Sequence, residues 1–259
     1  MTNVLDIFEF INSVAPFESA MDFDNVGILV GNKLAEVKKC LLALDVTPDV
    51  IDEAKKLGAD LIISHHPVIF GGIKTLSIDS IPYKLAQNEI SAICAHTNLD
   101  IADIGVNTCL ARALSLKNLK ELSFYESKIG KFPMGLIGDL EKVYSCREFA
   151  RFVKENLNCA GLRFTNVNRK IKTVAVCSGG GGDLINAAIN QNVDAFVTGE
   201  IKHHEILFAV QNEICVVDAG HFKSEDVVML PLLNLLAEKF ENVEFVKSKT
   251  CTDSVEYLV

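Results

Sequence analysis

The sequence lacks the features that define several large classes of protein. It contains no stretch of about eighteen uninterrupted apolar residues, so no segment is predicted to span a membrane. Its first residues include Asp6 and Glu9 and show neither the basic start nor the long apolar run of a signal peptide. No run of five basic residues occurs and the formal net charge is −9, which disfavours nucleic acid as a partner. We expect a cytoplasmic protein.

The eight cysteines include no Cys-x-x-Cys pair. Cys40, Cys94, Cys177 and Cys215 fall inside apolar, strand-like runs, where a free cysteine acts as a small hydrophobic residue. The sequence therefore predicts reduced thiols, with neither a disulfide framework nor a structural zinc ribbon.

Two adjacent histidines, His65 and His66, follow the apolar run 61–64 and precede Pro67. Proline cannot continue a strand ladder, so both histidines should lie at the exit of a buried strand. In a parallel sheet this carboxyl edge is where ligands bind. Neighbouring residues of a regular strand point to opposite faces, which favours two metal ions over one shared ion.

The order of strand, turn, helix and strand around His65 indicates a βαβ unit. Residues 37–66 also align without a gap with residues 171–200, and Asp60 pairs with Asp194 among the identities. We therefore predict an α/β fold of two pseudo-repeated lobes, residues 1–125 and 126–259, each with a largely parallel sheet flanked by helices. The metal site is expected at the strand carboxyl ends, between the lobes. Smaller expectations are a polar region up to residue 127, a strand pair over 130–140 and one helix over 225–240.

Four predicted strand exits carry side chains that can bind metals. Imidazole and carboxylate groups together suit divalent Zn, Mn or Fe. A lone exposed histidine is more often a surface residue, but all six histidines of the chain fall at these exits. The candidates are His65, His66, His96, Asp100, Glu200, His203, His204, His221 and Glu225.

Three histidines and one glycine run have open alternatives. His96 is either a strand cap or a residue that supports the ligands, while His203 and His204 are expected to begin a helix and to face a substrate or support the ligands. The run from Ser178 to Asp183 could bind phosphate at a helix start, but it lacks the Gly-Lys-Ser/Thr ending of a P-loop. A tight turn with Asp183 as a helix N-cap, mirrored by Asp49 in the first copy, is the favoured interpretation.

Six motifs, taken together and in order, resemble the Nif-three-like proteins, also called GTP cyclohydrolase 1 type 2 homologues. The resemblance spans nearly the whole chain, in the compact form without an inserted domain. It implies two divalent metal ions held by His65, His66, Asp100, His221 and Glu225, and a ring-shaped homohexamer. The motifs are Asp24-Asn25-Val26-Gly27, Leu44-Asp45-Val46-Thr47, Ser64-His65-His66-Pro67, His96-Thr97-Asn98-Leu99-Asp100, Thr198-Gly199-Glu200-Ile201-Lys202-His203-His204, and Gly220-His221 with Glu225.

The chemistry of this ligand set predicts a metal-dependent hydrolase. Two metals would lower the pKa of a bound water toward about 7, and the activated water would attack a nucleotide-like substrate. For GTP, attack would fall on the imidazole carbon of the purine, with His96 or His204 as proton shuttle. The alternative is a non-catalytic metal-binding or scaffold protein that interacts with protein partners.

Overall fold

The computed structural model describes residues 1–127 and 129–258, and these form two compact units. Unit 1 comprises Met1–Ile104, Ser127–Ile129 and Met229–Thr252, and unit 2 comprises Gly105–Glu126, Gly130–Val228 and Asp253–Val259. Each unit comprises several separate stretches of the chain, so no single boundary, such as one after residue 125, separates the units. A C-terminal helix and strand belong to unit 1, and the last residues belong to unit 2.

Unit 1 contains a five-stranded sheet in the order β1-β4-β3-β2-β11. Strands β11, β2, β3 and β4 run parallel, and β1 pairs antiparallel with β4. Burial of every residue from Leu61 to Ser64 explains the continuous apolar run of β3, because helices cover both faces of such sheets. The elements are α1 (Val4–Val14), β1 (Gly27–Val30), β2 (Lys39–Ala43), α2 (Pro48–Leu57), β3 (Leu61–Ser64), α3 (Ile81–Gln87), β4 (Ser91–Cys94), α4 (Thr97–Asp100), α10 (Met229–Lys239) and β11 (Glu244–Lys247).

Unit 2 contains a six-stranded sheet in the order β5-β6-β8-β9-β10-β7. Strands β8, β9 and β10 run parallel, whereas β6 pairs antiparallel with β8 and β7 with β10. Alternate residues of β8 enter two separate buried clusters, so both faces of this sheet are covered. The elements are α5 (Val106–Ala113), β5 (Lys117–Ser127), β6 (Gly130–Tyr144), α6 (Cys146–Asn156), β7 (Arg163–Phe164), β8 (Ile171–Cys177), α7 (Ile185–Asn190), β9 (Ala195–Thr198), α8 (His203–Gln211), β10 (Cys215–Asp218) and α9 (His221–Glu225).

The predicted α/β fold with two sheets and flanking helices is confirmed, and the internal repeat has a structural counterpart. In unit 1 the Asp60 carboxylate accepts hydrogen bonds from the backbone N–H groups of Lys38 and Lys39, at 2.8 and 3.0 Å. In unit 2 the Asp194 carboxylate accepts from Lys172 and Thr173, at 3.0 and 2.8 Å. Corresponding aspartates, Asp60 and Asp194, therefore hold the start of the first parallel strand in each copy of the repeat.

Four local predictions were wrong. Residues 117–127 form β5, which the sequence concealed because the first five residues are exposed and carry no apolar alternation. Residues 130–144 form one long strand instead of a strand pair. The helix expected over 225–240 begins later: Glu225 ends α9, Asp226–Val228 form a 3₁₀ turn, and α10 runs from Met229 to Lys239 with Pro231 in its first turn, where proline is tolerated.

The fourth wrong prediction concerns the helix caps. Thr47 caps α2 through its side chain, with Asp49 in the first turn. Asp183 lies within a 3₁₀ turn and contacts Lys202 at 3.0 Å, so it does not cap α7. Among the described residues, no helix is both long enough and apolar enough to cross a membrane.

Candidate metal centre

Three histidine rings converge at the carboxyl edge of the sheet of unit 1. His65 and His66 directly follow β3, and His96 lies two residues beyond β4. The ring centroids are 5.1 to 5.4 Å apart, and one ring nitrogen from each residue lies within 4.8 Å of the other two. The ring centroids of His65 and His66 lie only 5.2 Å apart, so the two rings do not diverge as neighbours on a regular strand would. Three imidazoles at this spacing could hold a metal ion.

Each of these rings has its Nδ1 atom fixed by an oxygen atom. His65 Nδ1 lies 2.9 Å from the carbonyl oxygen of Ala95, and His66 Nδ1 lies 2.7 Å from a carboxylate oxygen of Asp45. Carbonyl and carboxylate oxygens accept hydrogen bonds, so the proton of each ring lies on Nδ1 and the lone pair on Nε2. This is the tautomer in which ligand histidines are held by carboxylates and backbone carbonyls in metalloproteins.

His96 has the same arrangement with a more buried partner. Its Nδ1 atom lies 2.9 Å from Oδ1 of Asp24, whose side chain is only 1% exposed. Burial alone would raise the pKa of the Asp24 carboxyl, but hydrogen bonds from His96 and from Thr97 outweigh this and lower the pKa to about 2. Asp24 is therefore ionised at neutral pH and keeps the proton of His96 on Nδ1.

Asp100 completes the candidate group in unit 1. It ends the short helix α4, and its Oδ1 atom lies 3.5 Å from Nε2 of the fully buried His65. Asn98 holds this helix start in place, since its side chain accepts from the His96 backbone N–H and donates to the Ala15 carbonyl. A carboxylate oxygen and an imidazole nitrogen at this separation can bind one ion together.

Unit 2 presents a second imidazole–carboxylate pair on α9. Nε2 of His221 lies 3.0 Å from Oε2 of Glu225, one helical turn away, and His221 Nδ1 lies 2.8 Å from Oε1 of Glu200. The four-residue spacing equals that of His96 and Asp100 beyond the matching strand of unit 1. In the internal repeat, Glu200 corresponds to His66. Unit 2 therefore has a carboxylate, which holds Nδ1 of His221, at the position where unit 1 has a histidine.

Two glycines make room for the unit 2 pair. Gly179 adopts a left-handed conformation (φ +55°), and a Cβ atom there would lie 2.1 Å from Oε1 of Glu225 and 3.3 Å from Nε2 of His221. Gly199 occupies the position of His65 in the repeat, and a Cβ atom there would lie 2.9 Å from the Cα atom of His221. The Gly179 loop therefore forms a cradle around the His221 and Glu225 side chains, while Gly199 lies against the backbone of α9, and unit 2 cannot carry a histidine where unit 1 has His65.

The glycine run itself packs as a tight turn. Cβ atoms at Gly181 and Gly182 would lie 2.7 Å from the Cys177 side chain and 2.5 Å from the Glu205 side chain. Glycine is thus needed for close packing, which favours the plain-turn interpretation over a phosphate loop. A cavity of about 320 Å³ beside the turn is lined by Arg163, Gly180, Gly182, Asp183, Glu200, Ile201, Lys202 and Glu205.

The remaining two histidines, His203 and His204, are exposed and begin α8, as predicted for a helix start. The side chain of His204 is 78% exposed, and its Nε2 atom lies 3.9 Å from a carboxylate oxygen of Glu205. Neither residue belongs to the described histidine–carboxylate groups that could hold a metal.

The sequence did not identify the residues that orient the histidines. In the sequence, Asp24 and Asp45 stand out only as parts of motifs, and their roles depend on contacts with His96 and His66 across the fold. Asp45 lies two residues beyond β2, a signal that could point to it, whereas Asp24 lies in the loop before β1. The donor atoms, their fixed tautomers and the glycine cradle fit divalent metal ions with mixed nitrogen and oxygen ligands.

Comparison with known proteins identifies the family. Residues 2–254 match the model of the family described as Duf34/NIF3 (NGG1p interacting factor 3). A Clostridium perfringens relative named GTP cyclohydrolase 1 type 2 homolog is 32% identical, with 98% of each chain covered.

Solved structures agree with this assignment. The crystal structure of a Staphylococcus aureus hypothetical protein superposes with a TM-score of 0.91 and 30% identity, covering 99% of each chain. A Bacillus cereus protein related to NIF3 gives the same TM-score at 25% identity, again with 99% of each chain covered. The matches run from end to end of the chain, and the chain belongs to the Duf34/NIF3 family.

Proposed function

We propose that the protein is a metal-dependent hydrolase that acts on a nucleotide-like substrate. The proposed ligands of two divalent ions are His65, His66 and Asp100 from unit 1, with His221 and Glu225 from unit 2. The observation that carries the proposal is the shared orientation of the histidines, since His65, His66 and His221 each have Nδ1 held by a carbonyl or carboxylate oxygen. The names of the curated relatives support a guanine nucleotide as the first substrate to test.

The bound ions would supply a water of lowered pKa, near about 7, and would polarise the substrate. The residues of the chain would then position the reactants and move the proton. We assign proton transfer to Nε2 of His96, because ionised Asp24 keeps the other ring proton on Nδ1 and leaves a lone pair on Nε2. His204, on the surface of α8, is the second candidate for proton transfer.

Turnover of a nucleotide panel by metal-loaded protein tests the proposal. We expect hydrolysis of GTP or a related nucleotide, its loss in Asp100→Ala, and its retention in Asp103→Ala, a matched control at an exposed position of the same segment. His96→Ala should keep its metal and lose turnover by about 100-fold or more, the usual contribution of a general acid or base. The same comparison for His204→Ala decides between the two histidines.

Two outcomes would contradict this assignment. Loss of metal in His96→Ala would make His96 a ligand, as its place beside His65 and His66 allows. Full metal occupancy without turnover of any nucleotide or phosphoester would favour the non-catalytic metal-binding or scaffold protein.

We also propose that the chain assembles into a homohexameric ring and acts in the cytoplasm, as the family resemblance implies. Light scattering of the purified protein should give a mass six times that of the chain. A monomer or dimer at the same concentration would contradict the ring.

A further inference from the structure

An exposed aromatic ring lies beside the histidine cluster of unit 1. Phe70 follows His65, His66 and Pro67 in the segment that leads to α3, and its side chain is 69% exposed. Its ring centroid lies 6.2 Å from that of His96, and the two ring planes meet at 69°. An edge-to-face contact of this kind uses one part of the phenyl ring and leaves its exposed surface to solvent.

The backbone of the Phe70 segment is tied to the residue that orients His96. The Asn25 side chain donates to the carbonyl of Ile69 at 2.7 Å, and the Asn25 backbone N–H donates to the Asp24 carboxylate at 2.8 Å. Asp24 in turn holds His96. Asn25 therefore links the position of Phe70 to the position of His96.

Phe70 differs in this from its apolar neighbours. Ile73, Leu76 and Ile78 are also exposed, by 48%, 54% and 61%, and they could serve a contact between copies of the chain. Among these four side chains, only that of Phe70 offers a flat π-face on which a planar ring can stack. A planar ring stacked on the exposed surface of Phe70 would lie close to the ring of His96, to which we assign proton transfer.

We propose that Phe70 is the platform on which the base of the nucleotide substrate stacks. The inference rests on the proposed function and makes it more specific, because it assigns recognition of the base to one residue. Stacking of a base on an aromatic side chain contributes enough that its removal should weaken binding about 10-fold. Phe70→Ala should therefore raise the KM for the nucleotide about 10-fold with a smaller change in kcat, and Phe70→Tyr should restore it.

The chain contains no tryptophan, so Phe70→Trp introduces a single fluorescent reporter at the proposed contact. In metal-loaded protein, a guanine nucleotide should quench this fluorescence in a saturable manner, and ribose 5-phosphate, which has no base, should not. Leu34→Trp is the control. Leu34 is 65% exposed and follows β1, which runs from the carboxyl end of β4 toward its amino end, so it lies at the opposite edge of the sheet.

The outcomes separate this inference from the proposed function. Turnover by the wild type without quenching in Phe70→Trp would overturn the role of Phe70 alone. Saturable quenching without turnover would support the stacking role and contradict the hydrolase. Neither quenching nor turnover would overturn both. A change of oligomeric state in Phe70→Ala without quenching in Phe70→Trp would assign Phe70 to a contact between copies and would also overturn the stacking role.

Discussion

Replacement of Gly179 by alanine is the perturbation that most directly connects the fold to the proposed metal ligands. The new Cβ atom would lie 2.1 Å from Oε1 of Glu225, whereas real Cβ atoms essentially never come closer than 3.0 Å. The Glu225 carboxylate or the loop must therefore move by at least 0.9 Å, the difference between these distances. The left-handed backbone at this position adds about 1–2 kcal/mol of strain for any residue with a Cβ atom.

A displacement of this size should weaken metal binding by about 10- to 100-fold, as changes that misplace a ligand usually do. The assay is metal retention against a competing chelator, followed by urea unfolding of the metal-free protein. Gly58→Ala is the matched control, because Gly58 is also left-handed (φ +66°) but a Cβ atom there would meet nothing within 4 Å. It should lose stability and keep its metal.

The result that would refute this reasoning is equal metal retention in both variants. The Glu225 carboxylate would then have no part in binding the metal, or the loop would yield without cost. Loss of metal only in Gly179→Ala, at a stability similar to that of Gly58→Ala, is the outcome we predict.

Three further predictions follow from other contacts. Asp45→Ala removes the partner of His66 Nδ1 and should weaken metal binding about 10-fold or more. Asp49→Ala, a control in the first turn of α2, should leave metal binding unchanged. Equal metal affinity of the two variants, measured by titration, would contradict the orienting role of Asp45. Asp60→Ala and Asp194→Ala each leave two backbone N–H groups without their carboxylate partner. Each substitution should lower the free energy of unfolding by about 1–3 kcal/mol, measured by urea unfolding of the metal-free protein. A change in only one variant would contradict the equivalence of the two copies. Glu53 accepts hydrogen bonds from Ser248, Lys249 and Thr250; burial alone would raise its pKa, but these bonds lower it below the ordinary 4.5. The carboxylate therefore stabilises the fold above pH 4.5 and loses this contribution as the pH falls through its lowered pKa. Glu53→Gln should be less stable than the wild type at neutral pH, and the stabilities of the two proteins should converge in acid. A stability difference that does not change with pH would contradict this prediction.

Much of the central architecture could be predicted because it depends on local sequence. Strands β2, β3 and β4 are continuous apolar runs bounded by turn residues, and Thr47, Pro48 and Gly58 are typical of the start and end of a helix. The candidate ligands could be predicted for a related reason. Polar side chains directly after buried strands must emerge at the carboxyl edge of a parallel sheet.

The parts that could not be predicted depend on partners distant in the sequence. Asp24 lies 72 residues from the histidine it orients, and the need for glycine at 179 arises from Glu225, on a different element. β5 could not be predicted because an exposed edge strand needs no apolar pattern. The convergence of the His65 and His66 rings departs from the alternation of a regular strand, so strand periodicity could not predict it.

Metal content per chain tests the central claim most directly. Elemental mass spectrometry would be run on protein purified without a histidine tag and without added metal, beside His65→Ala and Glu225→Ala. Our account predicts about two equivalents of a transition metal in the wild type, as in other two-metal sites, and loss of metal in both variants, with folding checked by circular dichroism. Absence of metal from the wild type, even after reconstitution, would contradict the account.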